Sequence, residues 1–206
     1  MATKIKFTKG ELKRQRDSLQ QFEHYLPILQ LKKKQLQLEL QHVHERLRVK
    51  KEEIIFQKEL IKKWSGLLNE ADEHFKEWIK PKKVIVGTSN IAGIDIPVLE
   101  KVEFEELEYD LFIVPLWVDI AIDRLRAFVV RLEEERILKR QADILADELR
   151  ITTQRVNLFE KVKIPEAKEN IRVIKIYLGD QDTNAVGRSK MAKNKLARFS
   201  LRGVSV

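Results

Sequence analysis

A seven-residue step from Leu12 visits Leu12, Leu19, Leu26, Lys33, Leu40, Leu47, Ile54, Ile61, Leu68 and Phe75, and nine of these ten are apolar. Three residues on, a second step visits Gln15, Phe22, Leu29, Leu36, Val43, Lys50, Gln57, Trp64, Ala71 and Trp78, seven of them apolar. Two apolar series at 3–4 spacing, sustained over ten heptads, mark a coiled-coil seam. An ordinary bundle helix, averaging about 10–14 residues, is too short to need such a run. The pattern predicts one helix from about Lys9 to Lys80, roughly 100 Å long at ~1.5 Å per residue.

Composition agrees. Charged residues make up 35% of the chain, against about 25% in an average domain. Only 7 Gly and 5 Pro occur among 206 residues, which speaks against a loop-rich β-sandwich and against a disordered tail. A second helical arm is predicted from about Trp117 to Leu196. Its seam runs through Val118, Ile122, Leu125, Val129 and Leu132. It then slips by one residue, which alters supercoil twist, and resumes at Leu138, Ala142, Leu145, Leu149, Thr152, Val156 and Phe159. Ile171, Ile174 and Leu178 continue it beyond Pro165, and Gly179 and Gly187 are expected to loosen the end.

Between the arms the character changes. VIVGTSNIAGIDIPVLEKVEF is β-branched and alternating, and Gly87, Gly93 and Pro97 punctuate it, so two short strands joined by a turn are expected. The chain thus divides into an amino-terminal coiled-coil arm, 1–80, a hairpin segment, 81–115, and a carboxyl-terminal coiled-coil arm, 116–206. The expected fold is mainly α: a long antiparallel two-helix coiled coil with a short β-hairpin insert in the middle. Folding back about residue 96 would set Pro27 and Pro165 at one height, where each removes a helical hydrogen bond and a bend or soft point is expected.

The net charge of +8 is uneven. Residues 1–80 carry 18 Lys and Arg against 12 Asp and Glu, residues 81–120 carry 3 against 8, and residues 121–206 carry 19 against 12. Two basic arms flank an acidic centre. Zero Cys excludes disulfides, thiolate metal sites and cysteine catalysis. No apolar run of about 18 residues or more exists, and no signal-type apolar stretch follows the basic first residues, so a cytoplasmic protein without membrane insertion is expected.

Catalytic chemistry has little to stand on. There is no Gly-rich phosphate loop, no HExxH and no Ser/His/Asp arrangement. The four His are His24, His42, His44 and His74; His42 and His44, two apart on a helix, make a poor metal pair. Glu133, Glu134 and Glu135 fan around the helix and read as a solvated face. No cofactor and no metal are expected. Residues 187–202, GRSKMAKNKLARFSLR, hold six Lys and Arg and no acid. A basic helix end of this kind can neutralise phosphates. It lacks an aromatic stacking platform, so a basic coiled coil on nucleic acid stands level with one docked on an acidic protein scaffold.

Three stretches, taken in order, resemble the D-type central-stalk family of the V/A-type rotary ATPases, in its bacterial V-type form. KGELKRQRDSLQQFEHYLPILQLKKKQLQLEL, residues 9–40, is similar to the family's Leu-rich basic first helix. NIAGIDIPVLEKV, residues 90–102, resembles its hairpin signature, here Gly93 to Pro97. RVNLFEKVKIPEAKENIRVIKIYLGD, residues 155–180, followed by GRSKMAKNK, resembles its carboxyl-terminal motif.

The resemblance implies a central rotor shaft that is not itself an enzyme. Its paired terminal helices would enter a catalytic head of A and B subunits, its middle would bind the small F subunit, and its base would meet the funnel-shaped subunit on the membrane ring. Direct contact with nucleic acid is not implied. Lys4, Lys6, Lys9, Lys13, Arg14, Lys190, Lys193, Lys195 and Arg198 are then the expected basic tip facing the head. Ile85, Ile91, Gly93, Ile94, Ile96, Pro97 and Val98 are the expected hairpin contact for F. Those apolar side chains exceed what a lone hairpin can bury, so a partner, or the helices around Trp64, Trp78 and Trp117, should cover them.

Overall fold

The computed structural model describes residues 5–70, 75–106, 115 and 117–202, with backbone only at 69, 70 and 199–202. Helix α1 spans Lys9–Lys62 and α2 spans Phe75–Ile79. Strands β1, Pro81–Ile91, and β2, Ile94–Phe104, form one antiparallel pair. Helix α3 spans Trp117–Leu158, and after a π turn at Phe159–Lys163, α4 spans Ile164–Arg202. The expected class therefore holds: two long helical arms with a two-stranded hairpin between them.

Helix α1 starts where its sequence says. Thr8 is the N-cap, its Oγ1 accepting from the Glu11 N–H at 3.2 Å, in the Thr-x-x-Glu pattern of a capping box. The helix ends earlier than expected, at Lys62 instead of Lys80. Its last turn tightens as the Lys63 and Trp64 N–H groups donate to the carbonyls of Leu60 and Ile61, and the Ser65 hydroxyl takes the Lys62 carbonyl at 2.9 Å. A 3₁₀ turn, Ser65–Glu70, and α2 replace the predicted last heptads. Of their apolar residues Phe75 is still buried and Leu68 and Trp78 half-buried, because short turns can present the same spacing, while Leu67 is 41% exposed. Phe75, Val118, Ala121 and Ile122 form one core, with Trp64, Leu68, Trp78 and Trp117 packed around it.

The chain makes two compact units. One holds residues 32–152. There α1 and α3 run antiparallel: Lys32 Nζ meets Glu148 at 3.2 Å and, farther along α1, Lys50 Nζ meets Glu134 at 2.9 Å. Hydrogen bonds from Lys50 to Glu134, and then to Glu53, hold its ammonium above the ordinary lysine range. A lysine on a seam position is stable because a carboxylate faces it. The hairpin lies on this pair. Ile96, 2% exposed, joins Leu36, Val43, Ala142 and Leu145 in a core edged by Ile91, Ala92 and Ile94. The reach is geometric: eleven residues of strand cover about 36 Å, and Val43 lies about 29 Å of helix back from Lys62.

The hairpin turn is Ala92–Gly93, with φ of 53° and 78°. Two consecutive positive φ values give the primed two-residue turn that matches strand twist. The Asn90 side chain braces it, accepting from the Gly93 N–H at 3.1 Å and donating to Asp95 Oδ1 at 2.7 Å. An alanine in the left-handed region costs about 1–2 kcal/mol, and a glycine there costs about 0.4–1 kcal/mol in unfolded-state entropy. Ala92→Gly should therefore raise stability by about 0.5–1 kcal/mol in urea titration, against the usual sign for a glycine.

The other unit holds residues 1–31 and 153–206. The helices are antiparallel here as well. Phe22 stacks on Phe159 at 5.4 Å, Lys168 Nζ meets Glu23 at 3.0 Å, and Phe7 packs on Tyr177 at 5.0 Å. Of the two prolines, Pro165 stands beside a π turn, whereas α1 runs as continuous α-helix through Pro27. The Ile164 N–H donates to the Phe159 carbonyl, one residue farther back than in an α-helix. Pro165 follows at once and cannot donate to Lys161, so a widened turn accommodates the missing bond. The end of α4 is not loosened as expected: the helix runs unbroken through Gly179 and Gly187 to Arg202. Leu178, Gln181, Ala185, Arg188, Lys190 and Met191, strong helix formers around the two glycines, favour it.

Candidate functional site

The basic residues fall into two groups. Lys6, Lys9, Lys13 and Arg14 are exposed at the start of the chain; Lys4 lies outside the described residues. Glu11 stands 3.9 Å from Arg14 and partly offsets that group. Because Phe7 packs on Tyr177, this end of the chain lies beside the middle of α4. Lys190 is thirteen residues farther along, or about 20 Å of helix. Lys190, Lys193, Lys195 and Arg198 therefore make a separate basic group on α4, where every residue from 179 to 198 is exposed. No heptad reading could show this offset, because it is set by where the pairing of the two helices stops.

The hairpin residues divide by depth. Ile96 is buried, Ile85, Ile91, Ile94 and Pro97 are half-buried, and Gly93 and Val98 are exposed. The cover for Ile91, Ile94 and Ile96 is α1 and α3 at Leu36, Leu40, Val43 and Leu145, not the tryptophan-bearing segments. Val98 and Leu99 line a groove of about 400 Å³ between β2, α1 and α3, floored by Val49, Ile137 and Leu138. Gln141, 4% exposed, donates to the Pro97 carbonyl at 2.5 Å and so clips the hairpin to α3. Sequence reading missed Gln141: it sits one residue before a seam position, and only the docked hairpin buries it. The expected seam residue Leu132 is 38% exposed.

Glu133, Glu134 and Glu135 are half-buried and not a solvated face. Each has its own cation: Arg136 at 3.6 Å, Lys50 at 2.9 Å and Lys139 at 2.8 Å. His42 and His44 are exposed, and His74 lies outside the described residues. No helix among the described residues is long and apolar enough to cross a membrane. No group of three or more His, Asp or Glu among them could hold a metal ion.

Comparison with known proteins places this architecture. Residues 11–194 match the family model for the D subunit of ATP synthase. The V-type ATP synthase D subunit of Borreliella burgdorferi is 47% identical over 196 residues, covering 95% of this chain and 96% of that protein. The proteins of the same name from Chlamydia felis and Chlamydia muridarum are 32% and 33% identical, each aligned over 95% of this chain and 95% and 98% of their own lengths. An antiparallel pair of unlike long helices with a hairpin laid on it, matched nearly end to end, makes this chain a member of the V-type ATP synthase D subunit family.

Proposed function

We propose that this protein is the central-stalk rotor subunit of a V/A-type rotary ATP synthase/ATPase, carrying torque between the catalytic A/B head and the membrane ion-translocating ring without catalysing a reaction itself. The observation that carries the reading is the pairing of two unlike long helices within a chain of this family. Three chemically identical sites can be held in different states only by a body that contacts each differently. Two helices of different sequence, one with a hairpin beside it, have no rotational symmetry to impose on a head.

In this reading the two basic groups, Lys4, Lys6, Lys9, Lys13 and Arg14 and then Lys190, Lys193, Lys195 and Arg198, bear on acidic surface in the head. Long flexible cations suit a sliding contact better than interlocked apolar knobs. The exposed side of the hairpin, around Gly93 and Val98 and beside half-buried Pro97, is offered to the small F subunit, and the base seats on the funnel-shaped subunit. The protein works on the cytoplasmic side of the membrane, held there through the complex.

The absence of Cys makes the test clean. A single Lys193→Cys, oxidised onto a cysteine on the facing surface of the head, should cut ATP turnover at least tenfold, and reductant should restore it. Full turnover with the shaft cross-linked would sink the proposal.

A further inference from the structure

We propose that the π turn at Phe159–Lys163 is a twist joint. It houses one surplus residue of the carboxyl-terminal arm, it is where that arm winds and unwinds about its own axis, and Pro165 keeps it in place. The joint is a property of the chain itself; its use in turning rests on the rotor reading.

The surplus residue shows in the burial pattern. One series runs Leu145, Thr152 and Phe159 at steps of seven, then Ala167, eight residues on, and Ile174. The other runs Leu149 and Val156, then Ile164, again eight on, then Ile171 and Leu178. Every member of both series is buried or half-buried. Both series gain one residue, and both gain it across the same turn. An α-helix advances about 100° per residue, so a step of eight overshoots two turns by about 80° and would carry Ala167 and Ile171 off the seam. The wide turn takes up that overshoot. The Ile164 N–H reaches back five residues to the Phe159 carbonyl, so one turn holds an extra residue.

The proline alone does not demand a wide turn. Pro27 breaks the same kind of hydrogen bond in α1, and α1 passes it as unbroken α-helix. No surplus residue is present there. Leu12, Leu19, Leu26, Lys33, Leu40 and Leu47 keep steps of seven through Pro27, and none of them is exposed. Pro165 instead fixes the position. In a regular helix its ring clashes with the carbonyl four residues back, at Lys161, and a wider turn relieves the clash. A surplus residue is best tolerated just before such a ring.

The turn is also lightly held. From Asn157 to Glu166 no side chain is buried, and Val162 is 49% exposed, whereas Val156 and Ala167 on either side are 4% and 3% exposed. Phe159 is half-buried where it stacks on Phe22, and Lys163 pairs with Glu166 of its own arm at 3.5 Å. Backbone hydrogen bonds near solvent, beside side chains with little burial, open first. Twist therefore gathers in this turn, between two anchored stretches of the arm.

The full chain tests the joint. Deleting exposed Lys161 brings both series back to steps of seven, so a crystal structure should show α-helix without a wide turn from Trp117 to Arg202, and the melting temperature should hold or rise. Deleting exposed Asp147 is the control. It throws Leu149, Thr152, Val156 and Phe159 off the seam and should lower the melting temperature by about 5–15 °C. P165A should keep a π turn, because the surplus residue is still there. Amide exchange at residues 160–164 should run about 10-fold faster than at 152–156 in the wild type, and the Lys161 deletion should remove the difference. In the assembled complex, with the head fixed and a marker at Lys101→Cys, the deletion should narrow the angular spread of the stalled marker while ATP turnover continues. A π turn that survives deletion of Lys161 or vanishes in P165A overturns the proposal. So does a loss of stability as large as the control's, or an unchanged angular spread. A marker that never turns in the wild type defeats the rotor reading alone, and the results on the isolated chain still decide the joint.

Discussion

Leu145→Ala should lower the free energy of unfolding by about 2–5 kcal/mol. Leu145 is fully buried where three elements meet: Leu36 and Val43 from α1, Ile96 from β2 and Ala142 from its own helix. Removing its branched end opens a cavity that none of the three can close alone. Marginally stable proteins have about 5–15 kcal/mol in total, so this is a large fraction. The midpoint in calorimetry should fall by about 5–15 °C. Leu38→Ala is the control. Leu38 lies on α1 but is 56% exposed, and its loss should change stability by less than about 0.5 kcal/mol. Amide exchange in β1 and β2 should rise in the Leu145 variant, because Ile96 loses the surface it rests on.

Arg126→Ala should cost about 2 kcal/mol and loosen the base of the hairpin. Its guanidinium donates to the Trp78 carbonyl at 2.9 Å and to the Glu105 carbonyl at 2.7 Å, and lies 5.0 Å above the Phe104 ring. One side chain thus ties the end of α2 and the end of β2 to α3. Hydrogen bonds from a charged donor contribute about 1.5–3 kcal/mol each, and the exposure of the Glu105 contact reduces the sum. Arg126→Lys should recover less than half, since an ammonium cannot span both carbonyls as a planar fork does. Exchange at residues 76–80 and 101–105 should quicken first. Equal protection in wild type and Arg126→Ala would show that the contacts add nothing.

The helical arms were legible because burial repeats with the heptad. From Leu12 to Leu68 no member of either series is exposed, including Lys33 and Lys50. The hairpin was legible because breakers are so scarce elsewhere. Its turn type was not, since Ala92 carries no sign of a left-handed backbone. The end of α1 was hidden for a different reason. Trp64, Leu68, Phe75 and Trp78 keep the seven-residue step whether the backbone is a long helix or a set of short turns. Where the hairpin lands depends on strand length and direction, and periodicity along a helix carries neither. The burial of Gln141 follows from that landing.

The proposed shaft role has one direct observable. With the catalytic head fixed to a surface and a marker attached through a cysteine introduced at exposed Lys101, on the hairpin, the marker should turn in one direction in discrete steps while ATP is consumed. Three equivalent positions per revolution are expected from three alternating catalytic sites. A marker that stays still, or moves without direction, while the same complexes hydrolyse ATP would contradict the assignment of this chain to the rotor.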